Sequence, residues 1–134
     1  MEYLLYMWQM EDLIRAYGCS LTRIRREYID RFDYTDQQKD EEEDWFGDLI
    51  RMMNQEGKRE KGHLAINEVL LQDLGDLHVR LLQSTRFPFY SAEYYRVLPF
   101  IVELRQKGDK EIGEVETCLN ALYGVTVSYT HLRA

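Results

Sequence analysis

Apolar residues recur every three or four positions along almost the whole chain, which is the signature of amphipathic helices. Tyr3, Met7, Met10, Ile14 and Tyr17 predict a first helix from about Glu2 to Ala16, and Leu4, Leu5, Trp8 and Leu13 widen its stripe. A helix that is apolar on nearly every side belongs in the interior. Gly18 supplies a stop, and Ser20 an N-cap for a second helix reaching about Phe32, with Leu21, Ile24, Tyr28 and Phe32 on one face. Thr35-Asp36-Gln37-Gln38 is a capping-box pattern that opens a third helix ending near Glu56. Its first turns are polar, and its apolar face (Trp45, Phe46, Leu49, Met52, Met53) comes late, so it is expected to project into solvent before docking.

The fourth helix, about His63 to Gln83, has the cleanest stripe: Ile66, Leu70, Leu74, Leu77 and Leu81. After the loop "STRFPFYS", Ser91 is the expected cap of a fifth helix running to about Lys107. Pro99 lies inside it, removing a backbone donor and predicting a kink. A sixth helix is expected from about Asp109 to Tyr123, with Ile112, Val115, Cys118, Leu119 and Leu122 inward. The fold class is therefore all-α: a single-domain bundle of five or six helices with a kinked fifth.

Composition narrows the function classes. In 134 residues the chain is 45% hydrophobic and 31% charged, with a net charge of −7. Length and balance suit one folded domain, not a disordered segment. From Glu27 to Asp48, ten acidic residues stand against Arg31 and Lys39, leaving the rest of the chain near neutral. Such a block repels nucleic acid and anionic membrane and favours a basic partner. Cys19 and Cys118 form no disulfide framework or zinc spacing, which points to two thiols in a reducing compartment. No apolar run is long enough to span a membrane and the N-terminus lacks a signal-peptide pattern, so the cytoplasm is the expected location and no membrane partner is expected.

Candidate chemistry is sparse. His63 and Asn67 share a helix face, Glu60 and His63 form one Glu-x-x-His, and His78 lies fifteen positions beyond His63. A carboxylate-bridged metal centre in a bundle needs that motif twice, so His63 and His78 are candidates for a metal or small ligand without a complete ligand set. Arg23, Arg25 and Arg26, near Arg15 and Arg31, flank a helix–turn–helix outline and are the candidate nucleic-acid contacts. Ile14 stands where close helix crossing wants a small residue, and the acidic block follows at once, so nucleic acid is not the favoured partner. Asp40, Glu41, Glu42, Glu43 and Asp44 are candidate contacts for a basic protein, though acids also suit the early turns of a helix. The aromatic run "FPFYSAEYY" suits either a pocket wall or a joint between helices. No catalytic residue and no cofactor motif stands out.

The segments "EYLLYMWQMEDLIRA", "EKGHLAINEVLLQDLGDLHVRLL", "YSAEYYRVLPFIVELRQK" and "EIGEVETCLNALYG" resemble an uncharacterised all-helical family, a domain of unknown function of anaerobic gut bacteria. The resemblance covers about Glu2 to Gly124. It implies a soluble, cytoplasmic helical protein and carries over no activity and no site residue. Family members extend further at both ends, so residues 1–125 are expected to be a domain truncated at both ends. The tail 126–134 resembles a translated sequencing adapter and is expected to be non-native, and a truncated bundle should leave Leu5, Trp8 and the inward side of the last helix partly exposed. The function expected from these readings is that of a non-catalytic interaction or scaffold protein, acting through an unknown protein partner or by self-association. The alternative is a nucleic-acid-associated regulator, and the third reading a metal- or small-ligand-binding bundle.

Overall fold

A computed structural model describes residues 1–133, with side chains as far as Ser128. Among the described residues there are six α-helices and no strand: α1 (Glu2–Ala16), α2 (Leu21–Glu27), α3 (Asp36–Gln55), α4 (Ala65–Gln83), α5 (Pro88–Lys107) and α6 (Glu114–Arg133). A short 3-10 turn, Ile29–Arg31, follows α2. The chain's contacts group into two compact units, one spanning Glu2–Glu68, the other running from Val69 onward and including Met1.

In the N-terminal unit, Met7, Met10 and Ile14 of α1 pack with Ile24, Ile29, Phe46, Leu49, Met53 and Leu64 into one buried cluster. Phe46, Leu49 and Met53 fall on one face of α3 because three and four residues are close to one helical turn. Glycine ends two of these helices. Gly18 has φ +65° and Gly57 φ +69°, and the next residues turn back to bond the preceding turn: Cys19 N–H to the Ile14 carbonyl at 2.9 Å, Lys58 N–H to Met53 at 2.8 Å. The expected capping box is present, with Thr35 Oγ1 accepting from Gln38 N–H and Gln38 Oε1 accepting from Thr35 N–H.

Four local expectations need correction. The second helix ends at Glu27 rather than near Phe32, because Tyr28 leaves helical geometry at φ −121°. That break turns Ile29 inward and leaves Phe32 40% exposed. The fifth helix starts at Pro88, whose ring presets the backbone angle of a first helical turn, so Phe87 and not Ser91 is the N-cap. Ser91 instead donates its hydroxyl to the Leu82 carbonyl. Pro99 lies inside the span of α5, as expected.

The sixth helix begins at Glu114, five positions later than expected, because Asp109 Oδ1 accepts the Glu111 N–H in a local turn. It then continues past Tyr123 to Arg133: one glycine, Gly124, is too small a penalty to stop it, and Thr126 Oγ1 donates back to the Leu122 carbonyl. Of the tail 126–134, Ala134 and the side chains beyond Ser128 lie outside the described residues.

In the C-terminal unit Ile101 and Leu119 are buried hydrophobics, and the fourth-helix stripe is only partly covered. Leu74 and Leu81 are half-buried, whereas Leu70 and Leu77 are exposed. Leu5 and Val115 are half-buried and Leu122 is exposed, but the exposure expected of Trp8 and of the whole inward side of the last helix is not found: Trp8 and Leu119 each retain only 2% of their surface, and the Trp8 indole stacks on His63.

Candidate functional site

The three groups of sequence candidates have different fates. Arg25, on α2, faces the acidic start of α3: its guanidinium lies 3.3 Å from Asp30, 3.0 Å from Asp40 and 2.8 Å from Glu43. Arg23 pairs with Glu27 at 2.9 Å and lies over the Tyr17 ring, while Arg26 is exposed. Arg15 donates to the carbonyls of Lys58 and Gly62. Much of the basic cluster is thus matched by the protein's own acceptors. The acidic run is partly tied in the same way: Asp40 and Glu43 hold Arg25, Glu41 accepts from Gln37, and Glu42 and Asp44 belong to the same solvent-side turns. The start of α3 is therefore braced against α2 and does not project freely.

His63 belongs to a buried polar knot. Glu11 of α1 is 1% exposed, and its carboxylate accepts from His63 Nδ1–H at 2.8 Å, Leu64 N–H at 2.8 Å and Asn67 Nδ2–H at 2.9 Å. Burial pushes the Glu11 pKa up, but the bonds from His63, Leu64 and Asn67 together outweigh it, and the net pKa is lowered. Glu56 caps the same helix start through the Ala65 N–H at 2.7 Å. These groups order the entry into α4. The arrangement is structural: the Glu11 carboxylate and the groups that donate to it fix the first turn of the helix, while Asn67 Oδ1 is buried without a hydrogen-bond partner.

His78 lies elsewhere, in the C-terminal unit. It projects from α4 beside a cavity of about 260 Å³. Val97, Ile101, Val115, Leu119 and Leu122 form apolar walls, Met1 and Glu93 also line it, and one end carries Tyr90, Tyr94, Glu114 and Cys118. Their spacing follows from the helices: Tyr90, Glu93, Tyr94, Val97 and Ile101 repeat on one face of α5, and Glu114, Val115, Cys118, Leu119 and Leu122 on one face of α6.

The polar end is tightly knit. His78 Nδ1 and the Tyr90 hydroxyl share a 2.6 Å hydrogen bond. Tyr94 donates its hydroxyl to Glu114 Oε2 at 2.5 Å, and the same oxygen lies 3.6 Å from His78 Nε2. That nitrogen is buried, and no described residue lies within hydrogen-bond reach of it. The bond to Glu114, with burial adding to it, pushes the Tyr94 pKa up to about 12, so the phenol stays protonated. Burial, then the nearby Glu114 charge, raises the Cys118 pKa and keeps its thiol in the less reactive form.

An apolar cavity with a few converging polar groups is the usual architecture of a small-molecule site. The aromatic run singled out in the sequence supplies Tyr90 and Tyr94, so half of this site was visible there. Glu114 was not, because one acid among many at a helix start carries no signal of its own. Among the described residues no three His, Cys, Asp or Glu side chains converge as a metal-ligand set, and His63 and His78 serve separate environments.

A family described as a domain of unknown function, DUF4924, matches residues 1–131. The chain belongs to this family. The DUF4924 match reaches further towards the C-terminus than the Glu2 to Gly124 expected from resemblance, and the family's description assigns no activity. No curated protein and no solved structure matches the chain. Among the described residues no helix is long and apolar enough to cross a membrane.

Proposed function

We propose that this DUF4924 chain is a non-catalytic binding protein whose C-terminal unit holds a small organic molecule between α4, α5 and α6. The observation that carries this reading is the cavity of about 260 Å³, apolar along its walls and polar at one end. Nothing about Cys118 or Tyr94 favours covalent chemistry, since both are held protonated. Nile red, a neutral apolar dye, tests the reading by its emission. Saturable enhancement by the wild-type chain, sharply reduced in Val97→Phe with an unchanged circular dichroism spectrum, supports it. Equal enhancement in both proteins counts against it.

A second reading, self-association, is favoured by the exposed apolar stripe of α4, which includes Val69, Leu70 and Leu77. Two copies presenting the same stripe can pack about a two-fold axis. Sedimentation velocity decides it: a concentration-dependent dimer lost in Leu70→Glu/Leu77→Glu supports self-association, and a monomer at every concentration rejects it. A cytoplasmic location fits the two free thiols. A source in anaerobic gut bacteria and an adapter origin for residues 126–134 rest on sequence resemblance, and sequencing genomic DNA through codon 125 tests both.

A further inference from the structure

We infer that the molecule taken by the His78–Glu114 cavity is a small primary amine, an ammonium head on an aryl or alkyl body. The inference rests on the binding function proposed above and adds the class of ligand. At the polar end, acceptors outnumber donors. Glu114 accepts the Tyr94 hydroxyl, yet its basic neighbour is an imidazole at 3.6 Å, beyond hydrogen-bond distance. His78 Nε2 is buried and in reach of no described partner. When His78 Nδ1–H donates to the Tyr90 oxygen across their 2.6 Å contact, Nε2 presents a lone pair on the same side as the Glu114 carboxylate.

An ammonium group carries three donors and a positive charge. Seated against Glu114 Oε2 on the cavity side and beside His78 Nε2, it gives the carboxylate a charge-assisted bond. A carboxylate-headed ligand of the same shape meets Glu114 as a like charge. An alcohol can bond there but lacks the charge. The body then lies along Val97, Ile101, Val115, Leu119 and Leu122, where a phenyl or short alkyl group fits a volume of about 260 Å³.

The experiment compares three isosteres on the full chain by calorimetric titration: 2-phenylethylamine, 2-phenylethanol and 3-phenylpropionate. The expected result is that the amine binds about tenfold more tightly than the alcohol, the factor that one charge-assisted bond contributes beyond a neutral one, with the carboxylate weakest. Glu114→Gln should abolish the amine's advantage over the alcohol, and Tyr94→Phe, a milder change at the same oxygen, should keep the preference. Alcohol binding as tight as amine overturns the amine assignment and leaves the pocket standing. Failure of all three to bind a protein that still enhances Nile red likewise rejects the assignment alone. Failure with Nile red as well rejects the pocket.

Discussion

The carboxylate of Glu11 accepts the backbone N–H of Leu64 at 2.8 Å, so a side chain of α1 caps the entry to α4 across 53 positions of chain. The same carboxylate holds His63 and Asn67, and all of this happens at a site only 1% exposed. Removing it leaves the Leu64 N–H and the Asn67 amide buried without their acceptor, a costlier outcome than losing exposed bonds. Glu11→Ala is expected to lower stability by about 3 kcal/mol in urea unfolding. A loss under about 1 kcal/mol would mean that the knot is solvated and contributes little.

The same bonds set a pH dependence. The folded chain lowers the Glu11 pKa, so the unfolded chain binds that proton more readily. The stabilisation from Glu11 is therefore complete above the ordinary carboxylate range, near 4.5, and is lost as pH falls through the lower folded value. Urea midpoints measured from pH 7 down to about 3 should fall more steeply for wild type than for Glu11→Gln. Parallel curves would refute the assignment.

The helices were legible in the sequence because the 3–4 periodicity, Gly18, Thr35, Gly57 and the capping box at Gln38 are local signals. What escaped depends on partners far along the chain. His63 and Asn67 were paired by their i, i+4 spacing, but the third member, Glu11, lies 56 positions from Asn67 and looks like any helical acid. Likewise Arg25 and the Asp40–Asp44 run stand in the sequence as candidate contacts for two different partners, and folding sets Arg25 against Asp40 and Glu43. The stripe of α4 misled for a different reason: periodicity marks an apolar face and is silent on whether anything covers it. Leu70 and Leu77 are such positions.

Arg25 stands among Asp30, Asp40 and Glu43, and hydrogen bonding to Asp40 foremost holds its guanidinium firmly protonated. These groups are largely solvent-facing, so each pair is weak and salt-screened. Reversing the charge turns three attractions into repulsions. Arg25→Glu is expected to lower the melting temperature by several degrees at low salt, with much of the loss recovered in 0.5 M NaCl (about a 4 Å Debye length). A loss independent of salt would point to packing of the arginine stem instead.

The two prolines of α5 should respond with opposite signs. Pro88 occupies the first turn, where the missing N–H costs nothing and the fixed backbone angle helps. Pro99 lies inside the helix, where it leaves the Tyr95 carbonyl without its normal donor. Pro88→Ala should destabilise by about 0.5–1 kcal/mol. Pro99→Ala should stabilise by about 1 kcal/mol, the restored bond outweighing the added freedom of the unfolded chain. Destabilisation by both substitutions would show that Pro99 makes contacts α5 needs.

Cys118 offers a direct view of the cavity. Burial first, and then the neighbouring Glu114 charge, raises its pKa, so little thiolate forms at neutral pH. In a Cys19→Ser background, iodoacetamide should alkylate Cys118 far more slowly than a free thiol at pH 7. Its rate should keep rising above about pH 10, where an ordinary cysteine has levelled off. Glu114→Gln removes the like charge and should shift the rate profile to lower pH, while Tyr90→Phe should move it less. A Cys118 that reacts at pH 7 as fast as a model thiol would mean that the cavity is open to water, and the amine assignment would lose the desolvation that makes a single charge-assisted bond decisive.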